Sequence, residues 1–279
     1  PPLFTPPGGA LLAVSFGESR KKIFFYMFIG AVLWALIFSL IVFSLGVWIM
    51  RRAGCVINDY ADRHVDGKVK RTETRPLVSG KMTSQQALSL FGFLIGSAFA
   101  LVMTLSWFSI YLSFVALFLA ASYPFMKRFT HLPQVVLGAA FSWGMIMAFA
   151  ELQGEIPAVA WLLFSANVLW TVAYDTMYAM VDRDDDLKIG VKSTAILFGK
   201  HDKRIVGFLQ LLTLALLFTV GEILAFGWPF QLTLVLSAGL FCYQQMLIVN
   251  RDRDNCFKAF LNNHWVGLII FIGVYIEYL

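Results

Sequence analysis

The sequence predicts an all-α integral membrane protein, and three observations carry that prediction. Apolar residues make up 59% of the 279 positions and charged residues only 14%, against roughly 25% charged in a soluble domain. The apolar residues are gathered into runs long enough to cross a bilayer, which needs about 20 residues of helix. Lys and Arg are confined to residues 20–22, 51–81, 127–128, 183–204 and 251–258, which are separated by connections that carry none.

The elements follow in order. Eight apolar runs are expected to span, at about 23–50, 84–106, 108–126, 132–150, 157–181, 204–226, 229–249 and 257–279. They are apolar throughout rather than alternating, so they read as helices and not as strands of a barrel. The longest polar intervals, about 51–83 and 182–203, leave no room for a soluble domain. One transmembrane domain over 1–279 is expected. Residues 1–16 ("PPLFTPPGGALLAVSF") are interrupted by Pro and Gly and too short for a full span. The first 20 residues lack a basic start followed by an apolar segment, so no secretory signal is expected. Cys55, Cys242 and Cys256 are isolated, which argues against a disulfide framework or a zinc knuckle.

The net charge of +5 is not a nucleic-acid footprint. Its basic residues fall on alternate connections, the asymmetry that places loops in the cytoplasm. Arg20, Lys21 and Lys22 break the pattern, since a single crossing separates them from Arg51 and Arg52.

The chemistry-bearing residues stand where apolar runs end. In "NDYADRHVD", Asn58, Asp62 and Asp66 are spaced i, i+4, i+8 and share a helix face. In "YDTMYAMVDRDDDLKIGVKST", Asp182 and Asp186 repeat the spacing, and Asp175 lies two turns earlier on nearly the same face. Both segments leave the membrane on the side of the basic loops. Like charges at i, i+4 repel, and carboxylates beside lipid need a partner, so a cation is expected between the two stripes. Oxygen-only ligands suit Mg²⁺, which binds through carboxylates to phosphate oxygens, whereas zinc would draw on Cys or His. Basic neighbours surround both stripes: Arg63, Lys68, Lys70, Arg71 and Arg75 near the first, Lys127 and Arg128 on the next turn, and Lys188 and Lys192 after the second. Asn167 and Gln210, within apolar runs, are expected to bond between helices. Asp252 and Asp254 in "NRDRDN" read as a solvated turn.

"NDYADRHVD" and "DRDDD" resemble the two acidic signatures of the UbiA superfamily of intramembrane aromatic prenyltransferases. "GCVINDYADRHVDGKVKRTETRPLVSG", "YPFMKRFTHLPQVVLGAAFSWG" and "NRDRDNCFKAFLNNHWVGL" are similar to the branch that prenylates 4-hydroxybenzoate in bacteria. The resemblance covers about residues 30–275. It implies a helix bundle around a cavity that opens laterally to lipid, with nine helices in the family. It also implies transfer of a polyprenyl group from polyprenyl diphosphate to carbon 3 of 4-hydroxybenzoate in ubiquinone biosynthesis, at the bacterial inner membrane. Carried over by position, Asn58, Asp62, Asp66, Asp182 and Asp186 hold Mg²⁺-diphosphate, and Arg63 and Arg128 bind diphosphate or the benzoate carboxylate. Residues 1–22 do not resemble the helix with which the family begins, so eight full spans are expected here. Two other readings stay open: a UbiA-type enzyme with a different aromatic acceptor, and a cation-coupled transporter that uses the aspartates as ion sites.

Overall fold

The computed structural model describes residues 20–63, 67 and 74–279, with side chains from residue 40 onward. The expectations placed on residues 1–19, on His64 and Asp66, and on Lys68, Lys70 and Arg71 lie outside the described residues.

Nine α-helices are described, and no strand occurs among the described residues. They are α1 (Arg20–Asp62), α2 (Ser84–Val102), α3 (Trp107–Phe129), α4 (Pro133–Gln153), α5 (Ala158–Ile189), the short α6 (Thr194–Phe198), α7 (Asp202–Ile223), α8 (Trp228–Leu247) and α9 (Arg253–Glu277). Residues 1–49 and 50–279 form separate compact units. In the first, the described part is the leading stretch of α1. The second holds the helix bundle.

Seven described helices are long and apolar enough to cross a membrane. The chain is thus a multi-pass membrane protein, but one fewer helix qualifies than the sequence predicts. The exception is α8, which forms where the run 229–249 is expected yet carries Gln231, Gln244 and Gln245. Gln244 is fully buried and its amide is bonded inside the bundle: its Oε1 accepts from Gln210 on α7 at 2.8 Å and its Nε2 donates to Asn262 on α9 at 3.0 Å. These polar atoms lower the helix's hydropathy while tying three helices together.

The sequence supplies the helix ends. Thr83 and Gln86 form a reciprocal capping box at the start of α2. Pro133 sits in the first turn of α4, where its missing N–H costs nothing. Gly190 closes α5 at φ 73°. Because nothing breaks the helix before Gly190, α5 continues past its apolar part and carries the whole second acidic segment in helical register.

The bundle is organised around α5, which packs against α4, α7 and α9. Small side chains let the backbones approach: Ala160, Ala173, Thr171 and Thr176 are fully buried. A close backbone crossing is at Gly138 on α4, where an added Cβ would lie 3.0 Å from the Val168 Cα and 3.2 Å from the Thr171 Cβ. One turn on, the expected interhelical bond of Asn167 is present, donated to the Ser142 hydroxyl at 2.8 Å. Large apolar side chains such as Phe93, Phe118, Phe208 and Phe271 point outward, as lipid allows.

The connections sort into two ends. At one, Glu151 of α4 accepts from the Ser106 amide at 2.9 Å, and Glu277 of α9 accepts from the Gly227 and Phe230 amides at 2.9 and 3.0 Å. Each carboxylate thereby caps the start of a neighbouring helix. At the other end, the Lys192 amide donates to the Lys127 carbonyl at 3.1 Å and Arg251 reaches Asp202. The basic connections after α3, α5 and α8 thus meet at one end.

Candidate active site

The site is built where α1, α3, α4 and α5 end or begin at the basic end of the bundle. Asn58 and Asp62 occupy the last turns of α1 on one face. Asp62 is buried and accepts from the Lys127 ammonium. Lys127 is presented by the last turn of α3, whose next residue, Arg128, donates to the Ala61 carbonyl. The end of α3 is therefore fastened to the end of α1 through a side chain and a main-chain carbonyl. A buried ion pair is a poor source of stability, because desolvation offsets the attraction, so its placement points to function.

The same lysine faces the second acidic segment. On α5, the Asp175 carboxylate lies beside the Gln134 side chain and within the electrostatic reach of Lys127. Tyr123, one turn before Lys127 on α3, is close enough to feel both Asp175 and Asp62. Gln134 Oε1 also accepts from the Thr194 amide at 3.3 Å, and the Thr194 hydroxyl meets the Thr176 hydroxyl at 2.7 Å. Lys192 completes the closure, its Nζ donating to the Phe129 carbonyl at 3.2 Å. The segment between α5 and α7 is in this way laid against the end of α3 and the start of α4.

Other residues expected in the site are placed as follows. Arg63 folds back on its own helix, donating to the Tyr60 carbonyl at 2.6 Å with its guanidinium 4.1 Å from the Tyr60 ring centroid. Asp59 pairs with Arg75 at 2.8 Å. Asp182 and Asp186 share a face on the last turns of α5. Lys188 does not converge on Lys127: it is 74% exposed and pairs with Asp185 at 3.5 Å. Asp66 and Arg71 are not among the described residues.

Among the described residues, no three Asp, Glu, His or Cys side chains gather as a ready metal cluster. The expected donors are all oxygen: the Asn58 amide and the carboxylates of Asp62, Asp182 and Asp186. That donor chemistry fits Mg²⁺ and does not fit zinc. Tyr123, Gln134 and Thr194 are participants that the sequence reading missed. A glutamine in the first turn of α4, directly ahead of the apolar residues Val135–Leu137, is the available signal for Gln134.

Residues 23–268 match the UbiA prenyltransferase family. The chain belongs to that family. Its UbiA relatives are near in sequence: a 4-hydroxybenzoate octaprenyltransferase from Colwellia psychrerythraea is 68% identical over 268 residues, covering 93% of each chain. One of the same name from Klebsiella pneumoniae is 55% identical over 271 residues, covering 94% of each. Among solved structures, an apo UbiA homologue from Aeropyrum pernix superposes with a TM-score of 0.77 at 26% identity, over 87% of this chain and 90% of that one. A UbiA homologue from Archaeoglobus fulgidus, solved with GPP and Mg²⁺ bound, shares the fold with a TM-score of 0.60 at 16% identity, over 87% and 88%.

Proposed function

We propose that the chain transfers a polyprenyl group from polyprenyl diphosphate to carbon 3 of 4-hydroxybenzoate, releasing diphosphate, as a step in ubiquinone biosynthesis. The observation that carries the reading is that Lys127 binds Asp62 of the first acidic segment and lies within electrostatic reach of Asp175, two turns before Asp182, in a chain 68% identical to a 4-hydroxybenzoate octaprenyltransferase.

In this reading Asn58, Asp62, Asp66, Asp182 and Asp186 hold Mg²⁺ against the diphosphate. Mg²⁺ would supply charge neutralisation for the departing diphosphate. Lys127 screens Asp62 when no substrate is bound and turns its ammonium to a phosphate oxygen when one arrives. Arg63, Arg71, Arg128 and Lys192 add positive charge around the same head group. The allylic C–O bond breaks and its electron pair leaves with the diphosphate. The ring carbon ortho to the phenol oxygen bonds to the allylic carbon, and its proton passes to a carboxylate or to the released diphosphate. The prenyl tail lies among apolar helices, where lipid offers nearly the same environment, so affinity is concentrated in the head group. The clustering of Lys and Arg at this end of the bundle supports its lying on the cytoplasmic side of the inner membrane.

Membranes containing the protein test the reading when incubated with radiolabelled 4-hydroxybenzoate, octaprenyl diphosphate and Mg²⁺. Label passing into the organic phase, and lost on adding a chelator, supports it. Transfer to a naphthoate in preference to 4-hydroxybenzoate would assign the chain a different acceptor.

A further inference from the structure

The turn between α8 and α9, read from sequence as solvated, contains a backbone outlier. Asp252 and Asp254 are indeed exposed, but Arg251 has φ 59°, a left-handed conformation disfavoured for a residue with a Cβ. Its side chain shows what holds it there. The guanidinium donates to both carboxylate oxygens of Asp202, at 2.9 and 2.7 Å, and to the Lys200 carbonyl at 3.1 Å. Asp202 is fully buried at the start of α7, where an uncompensated carboxylate would be costly. A left-handed residue held by a buried, two-pronged ion pair is a fixed point in the fold, and such points are over-determined by their surroundings.

From that fixed point the contacts run to the second acidic segment. Arg183 approaches the same Asp202 carboxylate at 3.6 Å. Arg253, the first residue of α9, reaches Asp185 at 3.1 Å and Asp184 at 3.8 Å, and Asp182 acts on its charge. In "DRDDD", then, the three central residues are bound to the starts of α7 and α9, while Asp182 and Asp186 share a separate face. The arrangement answers an electrostatic problem. Four aspartates in the last turns of a helix repel one another and oppose the negative end of the helix dipole, so these turns would fray without a cation fixed beside them.

We propose that Arg253, anchored by the Arg251–Asp202 pair, is a positioning residue that holds the last turns of α5 in helical register and so places Asp182 and Asp186 for the diphosphate. The proposal rests on the reading of those two aspartates given above. Arg253 acts through Asp185 and does not touch the substrate.

Arg253 is the residue to vary, because it is 45% exposed and its loss leaves the buried Asp202 pair intact. In Arg253→Ala, the KM for octaprenyl diphosphate and the Mg²⁺ concentration for half-maximal rate both rise by about two- to five-fold, the range of a half-exposed ion pair. The KM for 4-hydroxybenzoate and the thermal midpoint in detergent stay unchanged. Arg253→Lys recovers most of the loss. In an Asp185→Ala background, Arg253→Ala adds nothing further. Unchanged kinetics in Arg253→Ala, an equal rise in both KM values, or a full effect that persists in the Asp185→Ala background would each overturn the proposal; the last would mean direct contact with substrate. Asp182→Ala, assayed alongside, separates the two levels: full activity there removes the diphosphate reading itself, whereas an inactive Asp182→Ala with an unaffected Arg253→Ala removes only the positioning role.

Discussion

Lys127, at the end of α3, donates its ammonium to the carboxylate of Asp62, at the end of α1. That one pair links residues 65 apart in sequence and sets a cation between the acidic residues of α1 and Asp175 on α5. Replacing the ammonium with an apolar group of similar length removes the link. In Lys127→Met, the KM for polyprenyl diphosphate is expected to rise about ten-fold or more, the scale of a hydrogen bond to a charged group. Lys127→Arg should retain part of the affinity. Steady-state kinetics in detergent-solubilised protein check both.

Gln134 accepts from the Thr194 amide through its Oε1 and lies beside Asp175. Gln134→Leu should lower kcat while leaving the protein assembled, because it frees the α5–α7 segment and sets an apolar side chain beside Asp175. A loss of about 1–3 kcal/mol in transition-state stabilisation is expected from an orphaned buried polar group. Gln134→Glu should be worse, since it sets a second carboxylate against Asp175.

The Gly138 crossing lies one turn from Gln134 on α4 and meets Thr171, one turn from Asp175 on α5. A side chain there meets backbone, not the flexible end of a neighbour. Gly138→Val is therefore expected to destabilise the bundle by about 1–3 kcal/mol, the usual cost of overpacking. A lower thermal midpoint together with reduced activity is the outcome to look for. Ser142→Ala, which removes only the hydroxyl that Asn167 uses, should cost less.

Glu277 serves as a control at the far end of the bundle. It accepts from the Gly227 and Phe230 amides, so Glu277→Ala should lower the thermal midpoint by an amount matching about 0.5–2 kcal/mol, as for loss of a helix cap. Neither KM should change, because α9 ends away from the acidic residues.

Much of this was legible in the sequence, for identifiable reasons. The helices were readable because a bilayer imposes long apolar runs, and the shared end of the acidic segments was readable because Lys and Arg mark alternate connections. The i, i+4 spacing of Asn58 and Asp62, and of Asp182 and Asp186, fixed their helix faces once the helices were known to continue beyond the apolar stretch. What the spacing could not yield was partners from elsewhere in the chain. Lys127 was one of many basic residues near the acids, and nothing local distinguishes it from Lys188, which the fold turns outward onto Asp185. Gln134 and Thr194 enter only because α4 crosses α5 closely at Gly138. Arg251 looks like a surface arginine until the fold buries Asp202 beside it. The α8 helix was expected to match the other spans because its apolar residues suffice in number. Its glutamines become intelligible only when Gln210 and Asn262 are seen to receive them.

The central claim is that the acidic residues ending α1 and those of α5 serve one diphosphate site. Mg²⁺-dependent transfer of a polyprenyl group to 4-hydroxybenzoate, measured in parallel for Asp62→Ala and Asp182→Ala proteins that elute from detergent chromatography as the unaltered protein does, tests it most directly. The account predicts that either substitution alone abolishes transfer. Normal turnover in either variant would contradict it.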